Sequence, residues 1–255
     1  MSGTLELIPL RNFPLVEPGQ DVAELISAAL VNNKLALLQG DVLIVAQKII
    51  SKAENRYVRL ADVEPGPEAV RLAEEANKDP RQMELVLRES REVVRVRPGV
   101  VIVEHRNGYV HANAGIDKSN IPNPEEQPQV LLLPENPDAS ARYLRDALNR
   151  YSGVEVQVII NDSAGRAWRN GTVGIAIGTA GLEPLFNQVG EQDLYGNVLE
   201  VTEAAVADEL AAAASLVMGQ AAEACPVVLA RGAQLRPSDS GSGSLIRDRA
   251  QDMFR

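Results

Sequence analysis

The stretch GDVLIVAQKIISKAE, residues 40–54, decides the fold class. Gly40-Asp41 interrupts the chain, and Val42–Ala46 follows as an unbroken apolar run. A half-exposed strand would alternate, so this run predicts a strand buried on both faces. The polar segment from Gln47 through Lys48, Ser51, Lys52 and Glu54 follows at once.

Toward the N-terminus, Leu5–Ile8 reads as a short strand, and Pro9, Pro14 and Pro18 keep the next segment extended. Asp21–Leu30 has helical apolar spacing behind a capping aspartate. Toward the C-terminus, Glu68–Ala76 and Gln82–Glu89 read as amphipathic helices separated by Asp79-Pro80. Val93–Val96 and Val100–Val103 flank the turn Arg97-Pro98-Gly99. Residues 113–129 hold no period and are expected to form a long loop. A helix is expected over Ala139–Tyr151, then a strand over Val154–Ile160 that ends on Asn161-Asp162-Ser163. Five glycines in Gly165–Gly181 suggest loops and short strands. An Ala-rich helix is expected over Val201–Met218, with Thr202 as cap, Glu203 in the first turn and Gly219 as stop. Pro226–Ala230 reads as a strand, Ser238–Ser244 as a flexible linker, and Leu245–Arg255 as a loosely docked helix. The class is mixed α and β (α/β), organised as one unit over 1–235 with a linker and helix over 236–255. The sequence leaves open whether the sheet is parallel.

Composition excludes several functions. The 255 residues carry 25 Lys+Arg against 35 Asp+Glu, a net charge of −10. Nucleic-acid affinity comes mainly from cations that displace counterions, so broad nucleic-acid binding is not expected. Cys225 is the only cysteine, which rules out an internal disulfide and fits a reducing, cytoplasmic setting. Prolines and Glu6 break up the first eighteen residues where a signal peptide needs apolar continuity. No uncharged apolar run reaches the ~18 residues of a membrane span. Only 4% of residues are aromatic, so aliphatic side chains must build the core.

Four segments could carry chemistry. Asn113 to Asn120 places Asp117, Lys118 and several amide and hydroxyl groups on one loop. Hard cations combine one or two carboxylates with phosphate oxygens and water, a role open to Asp117; the plainer alternative is an Asx-turn capping a helix. Asn161 to Gly171 sets Asp162 and Ser163 beside Arg166 and Arg169, whose planar forks can grip a phosphate or carboxylate. The alternative there is a solvated turn with Trp168 packed in the core. Lys52 could neutralise phosphate charge or simply be solvated. Met218 to Glu223 combines a helix end with small residues that let a ligand approach the backbone; a plain glycine stop is the alternative. There is no P-loop and no nucleophile elbow. His105 and His111, the two histidines, match no zinc-binding spacing and are expected to be structural.

Taken together and in order, these segments resemble the coenzyme F420-0:L-glutamate ligase family. The matching stretches are Asp41–Gln47 with Ser51–Glu54, Asn113–Asp117 with Ser119-Asn120, Asp162 with Gly165–Gly171, Asp193–Gly196, and Val201–Glu203 with Ala207–Glu209. The likeness runs over about residues 5–232. It implies a two-domain monomer in an intertwined homodimer, with GTP, L-glutamate and F420-0 as substrates and no membrane or nucleic-acid partner. It implies two Mg²⁺ or Mn²⁺ ions, with K⁺ as a further cation. By position, Asp117 and Asp162 would hold one metal, and Ser163 with Gln220 a second. GTP contacts would come from Arg11, Asn12, Phe13, Pro14, Gln47, Lys52, Asn120 and the loop Met218, Gly219, Gln220, Ala221, Ala222, Glu223, Ala224 and Cys225. Gln47 and Gln220 depart from some relatives, which carry a small hydroxyl residue and a glutamate there. The implied chemistry is an acyl phosphate formed from GTP and captured by the glutamate amine, with Lys52 assisting. Arg166 and Arg169 are assigned from the residues alone to orient an anionic substrate. A ligase for another acid, and a non-catalytic GTP- and metal-binding protein, are the alternatives.

Overall fold

The computed structural model describes residues 3–254; Met1, Ser2 and Arg255, the last residue of the expected terminal helix, lie outside them. The chain runs β1 (Glu6–Pro9), α1 (Val22–Asn32), β2 (Val42–Ala46), α2 (Gln47–Ala53) and β3 (Tyr57–Arg59). It continues with α3 (Pro67–Ala76), α4 (Pro80–Arg88), β4 (Ser90–Arg97), β5 (Val100–His105), β6 (Val110–Ala112) and β7 (Gln129–Leu131). Then come α5 (Pro137–Ser152), β8 (Gln157–Arg166), β9 (Arg169–Ala180), β10 (Phe186–Asn187), β11 (Glu203–Ala204), α6 (Val206–Met218) and β12 (Val227–Arg231).

A five-stranded sheet in the order β1-β12-β2-β8-β9 forms the frame. Only the β2–β8 pair is parallel; the other neighbours are antiparallel. The unbroken apolar run of β2 follows from burial on both sides. Leu43 and Val45 face a core with Ile26 and Leu30 of α1 and Leu144 and Leu148 of α5. Val42 and Ile44 face the other core, built on Leu210, Ala211 and Ala214 of α6. Each fully buried large aliphatic side chain contributes roughly 1.5–3 kcal/mol. Asp41 accepts a two-pronged contact from Arg231 at 2.7 and 3.0 Å, which ties β12 to the start of β2.

Between β2 and β8 the chain builds a smaller assembly. Its sheet β4-β5-β6 packs under α3 and α4, and β3 pairs with β7 beside it. Asp79 caps α4 and Asn136 caps α5 by accepting backbone N–H bonds, as their residue types favour.

Several expectations need correction. Asp162 and Ser163 do not follow the end of a strand; β8 continues through them to Arg166. The glycine-rich segment is mostly one long strand, β9. Its glycines permit close helix packing: a Cβ on Gly174 would lie 2.3 Å from Ala211 O, and one on Gly178 would lie 2.5 Å from the Pro137 carbonyl. A register shift between Ile160 and Asn161 breaks the alternation, so these glycines meet helices on opposite sides of the sheet. Helix α6 begins at Val206 rather than Val201, because Glu203–Ala204 pairs with Phe186–Asn187. Ala205 therefore occupies the cap without a side-chain bond, and Asp208 accepts the Ala176 N–H at 2.8 Å. The tail forms single 3₁₀ turns at Ser242–Leu245 and Arg249–Gln251 instead of a helix. Ser242 is buried, bonded to Asp138 and to Ile177 O. Trp168 is 80% exposed and rests on Phe254 rather than in the core.

Candidate active site

The site forms where β2 and β8 end side by side. Ala46 pairs with Asn161, so the first residue of α2 stands next to Asp162. Helix spacing then stacks Gln47 with Ser51 and Lys48 with Lys52, since residues four apart share a face. Asp117 arrives from the long 113–129 segment, pinned by paired backbone bonds between Asp117 and Leu131 at 2.9 Å.

Gln47 Nε2 donates to Asp117 Oδ2 at 2.8 Å, and Ser51 Oγ donates to Gln47 Oε1 at 2.8 Å. The serine thereby fixes which end of the amide faces the carboxylate. Lys48 Nζ lies 3.3 Å from Asp117 Oδ1 and donates to Ser119 O at 3.1 Å. Burial raises the Asp117 pKa, and Lys48 and Gln47 oppose that rise. Asp162 is pushed up to about 7, first by burial and then by the negative charge of Asp117. Burial and the neighbouring Lys48 lower the Lys52 pKa. His111 on β6 places Nδ1 3.5 Å from Asp162 Oδ2, and burial lowers its pKa to about 4.

Gln47, Lys48, Lys52, Asp117 and Asp162 line a groove of about 1110 Å³, whereas Ser51 and His111 are not among its lining residues. The whole loop Met218–Cys225 lines the groove too, as do Phe13 and Pro14. Ser163 Oγ donates to Gln220 Oε1 at 2.9 Å, and Asn120 Nδ2 donates to Ala221 O at 2.9 Å across the groove. Glu223 accepts the Ala221 N–H at 2.7 Å and folds the loop onto itself. The groove thus brings together Asp117, Asp162, Ser163, Gln47, Lys52, Asn120 and the 218–225 loop.

Arg11, Asn12, Arg166 and Arg169 are not among its lining residues. The Arg11 backbone is bonded to the Asn33 side chain. Arg166 and Arg169 sit at the exposed tip of the β8–β9 hairpin, where Arg166 donates to Gly171 O. Lys48, which lines the groove and pairs with Asp117, escaped the sequence reading. Its helical i, i+4 relation to Lys52 was the available signal.

The fold is mixed α/β with a groove where its two assemblies meet, and the comparisons place the chain among the ligases. The family profile described as F420-0:Gamma-glutamyl ligase matches residues 11–232, so the chain belongs to that family. It is similar to the coenzyme F420:L-glutamate ligase of Methanothermobacter thermautotrophicus, 47% identical over 98% of this chain and 99% of the relative. The proteins of the same name from Methanopyrus kandleri and Methanocaldococcus jannaschii are 45% and 40% identical, each over at least 97% of both chains. Among the described residues no helix is long and apolar enough to cross a membrane.

Proposed function

We propose that this chain joins L-glutamate to coenzyme F420-0 in F420 biosynthesis, using GTP and an acyl-phosphate intermediate. One observation carries the reading: Asp117 and Asp162, from separate assemblies, meet in one groove beside Lys48 and Lys52. A carboxylate pair this enclosed, with side chains 26% and 13% exposed, is costly unless a cation shares it.

The donor set suits Mg²⁺ or Mn²⁺. Among the described residues no group of three or more His, Cys, Asp or Glu could hold a metal on its own. Such hard ions take one or two carboxylates and complete their shells with phosphate oxygens and water. Asp117 and Asp162 would hold one ion, and Ser163 with Gln220 a second through neutral oxygens. When bound, the ions offset negative charge on the transferring phosphoryl group.

The protein's own groups then have defined tasks. Phe13, Pro14 and the 218–225 loop shape the groove for the nucleotide, and the Lys52 ammonium faces the phosphates. A carboxylate oxygen of F420-0 attacks the GTP γ-phosphorus as the bond to GDP breaks. The glutamate amine then attacks the acyl carbon, loses a proton, and the amide forms with release of phosphate.

We also propose a homodimer. The 188–204 segment projects Leu194, Tyr195 and Val201, which are 99%, 91% and 86% exposed, a surface suited to burial against a second copy. Sedimentation velocity showing only monomer at micromolar concentration would remove this element.

The decisive test is incubation of the purified chain with F420-0, GTP, Mn²⁺ and glutamate, read by mass spectrometry. Expected are products enlarged by glutamyl residues, with GDP and phosphate formed in step. No glutamylated product, with a panel of other acids turned over instead, would move the reading to a different amide ligase. Equal kcat/KM with ATP would refute the preference for GTP alone.

A further inference from the structure

His111 is one of two histidines in the chain and has no part in the reaction described above. It lies on β6, the edge strand of the smaller sheet, which comes up against β8 of the main sheet. The residue is 5% exposed and its ring meets Tyr109 edge-on, at 5.7 Å between centroids. Its Nδ1 is 3.5 Å from Asp162 Oδ2, while Nε2 has no hydrogen-bond partner among the described residues. A neutral imidazole carries one proton, and that proton belongs on the nitrogen that faces an acceptor. An unmet lone pair on Nε2 then remains, in place of an unmet N–H donor there.

We infer that His111 is a positioning residue: its Nδ1–H, 3.5 Å from Oδ2, steadies Asp162 from the β6 side, while the Ser163 backbone and Gln47 act on the same carboxylate from the groove side. Partners of this kind orient metal-binding groups in many proteins, and losing one weakens metal affinity by about 10- to 100-fold. The inference rests on the metal-binding reading of Asp162 and adds a residue from the smaller assembly to it. It also makes the seam between β6 and β8 part of the site, because displacing one strand from the other shifts the carboxylate.

The test is a Mn²⁺ titration of the full chain by electron paramagnetic resonance or calorimetry, with thermal melts beside it. His111→Asn puts a donor close to the position of Nδ1, whereas His111→Gln puts one near Nε2. We expect His111→Asn to bind Mn²⁺ within about threefold of the parent, and His111→Gln and His111→Phe to bind about 10- to 100-fold more weakly. Asp162→Asn serves as the control. If Asp162→Asn leaves Mn²⁺ binding unchanged, the metal reading fails and takes this inference with it. If Asp162→Asn abolishes binding while His111→Gln matches the parent, only the role of His111 is overturned. Equal losses in the Asn and Gln variants also overturn it, since a purely structural histidine would not distinguish the two nitrogens. Should His111→Phe fail to fold, the Asn and Gln pair decides the question.

Discussion

The base and the tip of the β8–β9 hairpin look alike in sequence and differ completely in environment. Asp162 and Ser163 at the base and Arg166 and Arg169 at the tip belong to one polar run of the chain. The base is packed between β2, α2 and β6, and there burial lifts the Asp162 pKa to about 7. The tip stands in water, where a charged group costs little and is screened. A charge gains chemical leverage from the low-dielectric surroundings that the fold builds around it, and residue type alone does not report those surroundings.

The largest effect expected from this contrast is at Asp162. Asp162→Asn should lower kcat by on the order of 10²–10³ or more with Mn²⁺ saturating and the melting temperature retained. Near-normal turnover in the folded variant would break the comparison outright. Next comes Lys52→Met, which removes one partly buried cation from the groove and should cost ~10² in kcat/KM for GTP. A loss seen only for glutamate would move Lys52 to the other substrate.

A pH series sharpens the same point. The folded Asp162 pKa of about 7 lies above its ordinary 3.8, so the folded state holds the extra proton between those values. Its contribution therefore disfavours folding progressively as pH rises through that window, and levels off above it. In metal-free buffer, Asp162→Asn should gain stability relative to the parent from pH 4 to 7, measured by urea unfolding. A constant difference across that range would show that Asp162 ionises normally.

Glycines give a smaller and purely structural version of the contrast. Gly174→Ala pushes a methyl group into Ala211 O and should cost about 1–3 kcal/mol. Gly165→Ala, near the tip with open space around it, should stay within about 0.5 kcal/mol. Equal melting temperatures for both would mean α6 yields easily. The smallest effect belongs to Arg169→Lys, expected to change every kinetic constant by less than about twofold, as for surface substitutions generally. A larger loss would bring the tip into a groove, most directly that of a second copy.

Much of the frame was legible in the sequence because it depends on local signals. The apolar run Val42–Ala46, the Asp21 cap and the Asp79-Pro80 break each carry their own physical meaning, and each stands where it was expected. β9 was not legible, since its glycines serve helices distant in the chain, and a local reading takes glycine for a turn. The start of α6 was missed for a related reason: the pairing of Glu203–Ala204 with Phe186–Asn187 outweighs alanine's helix propensity. At the site, Asp117, Asp162 and Lys52 were named through the resemblance to the ligase family, carried by the order of the matching segments. The bond from Gln47 to Asp117 joins residues far apart in sequence, and only the folded chain reveals it.

The strand order has a consequence for how the protein is made. β1 and β2 leave the ribosome early, yet they never touch in the sheet; β12 lies between them. The last strand synthesised thus closes the gap between β1 and β2, one place in from the edge, and until it arrives both early strands present open edges. Edges of this kind invite pairing with other chains, and long-range closure slows folding. Synthesis cut short before Val227 should therefore yield an aggregation-prone chain rather than a smaller folded one, which gives cells that make this protein a reason to shelter it until translation ends.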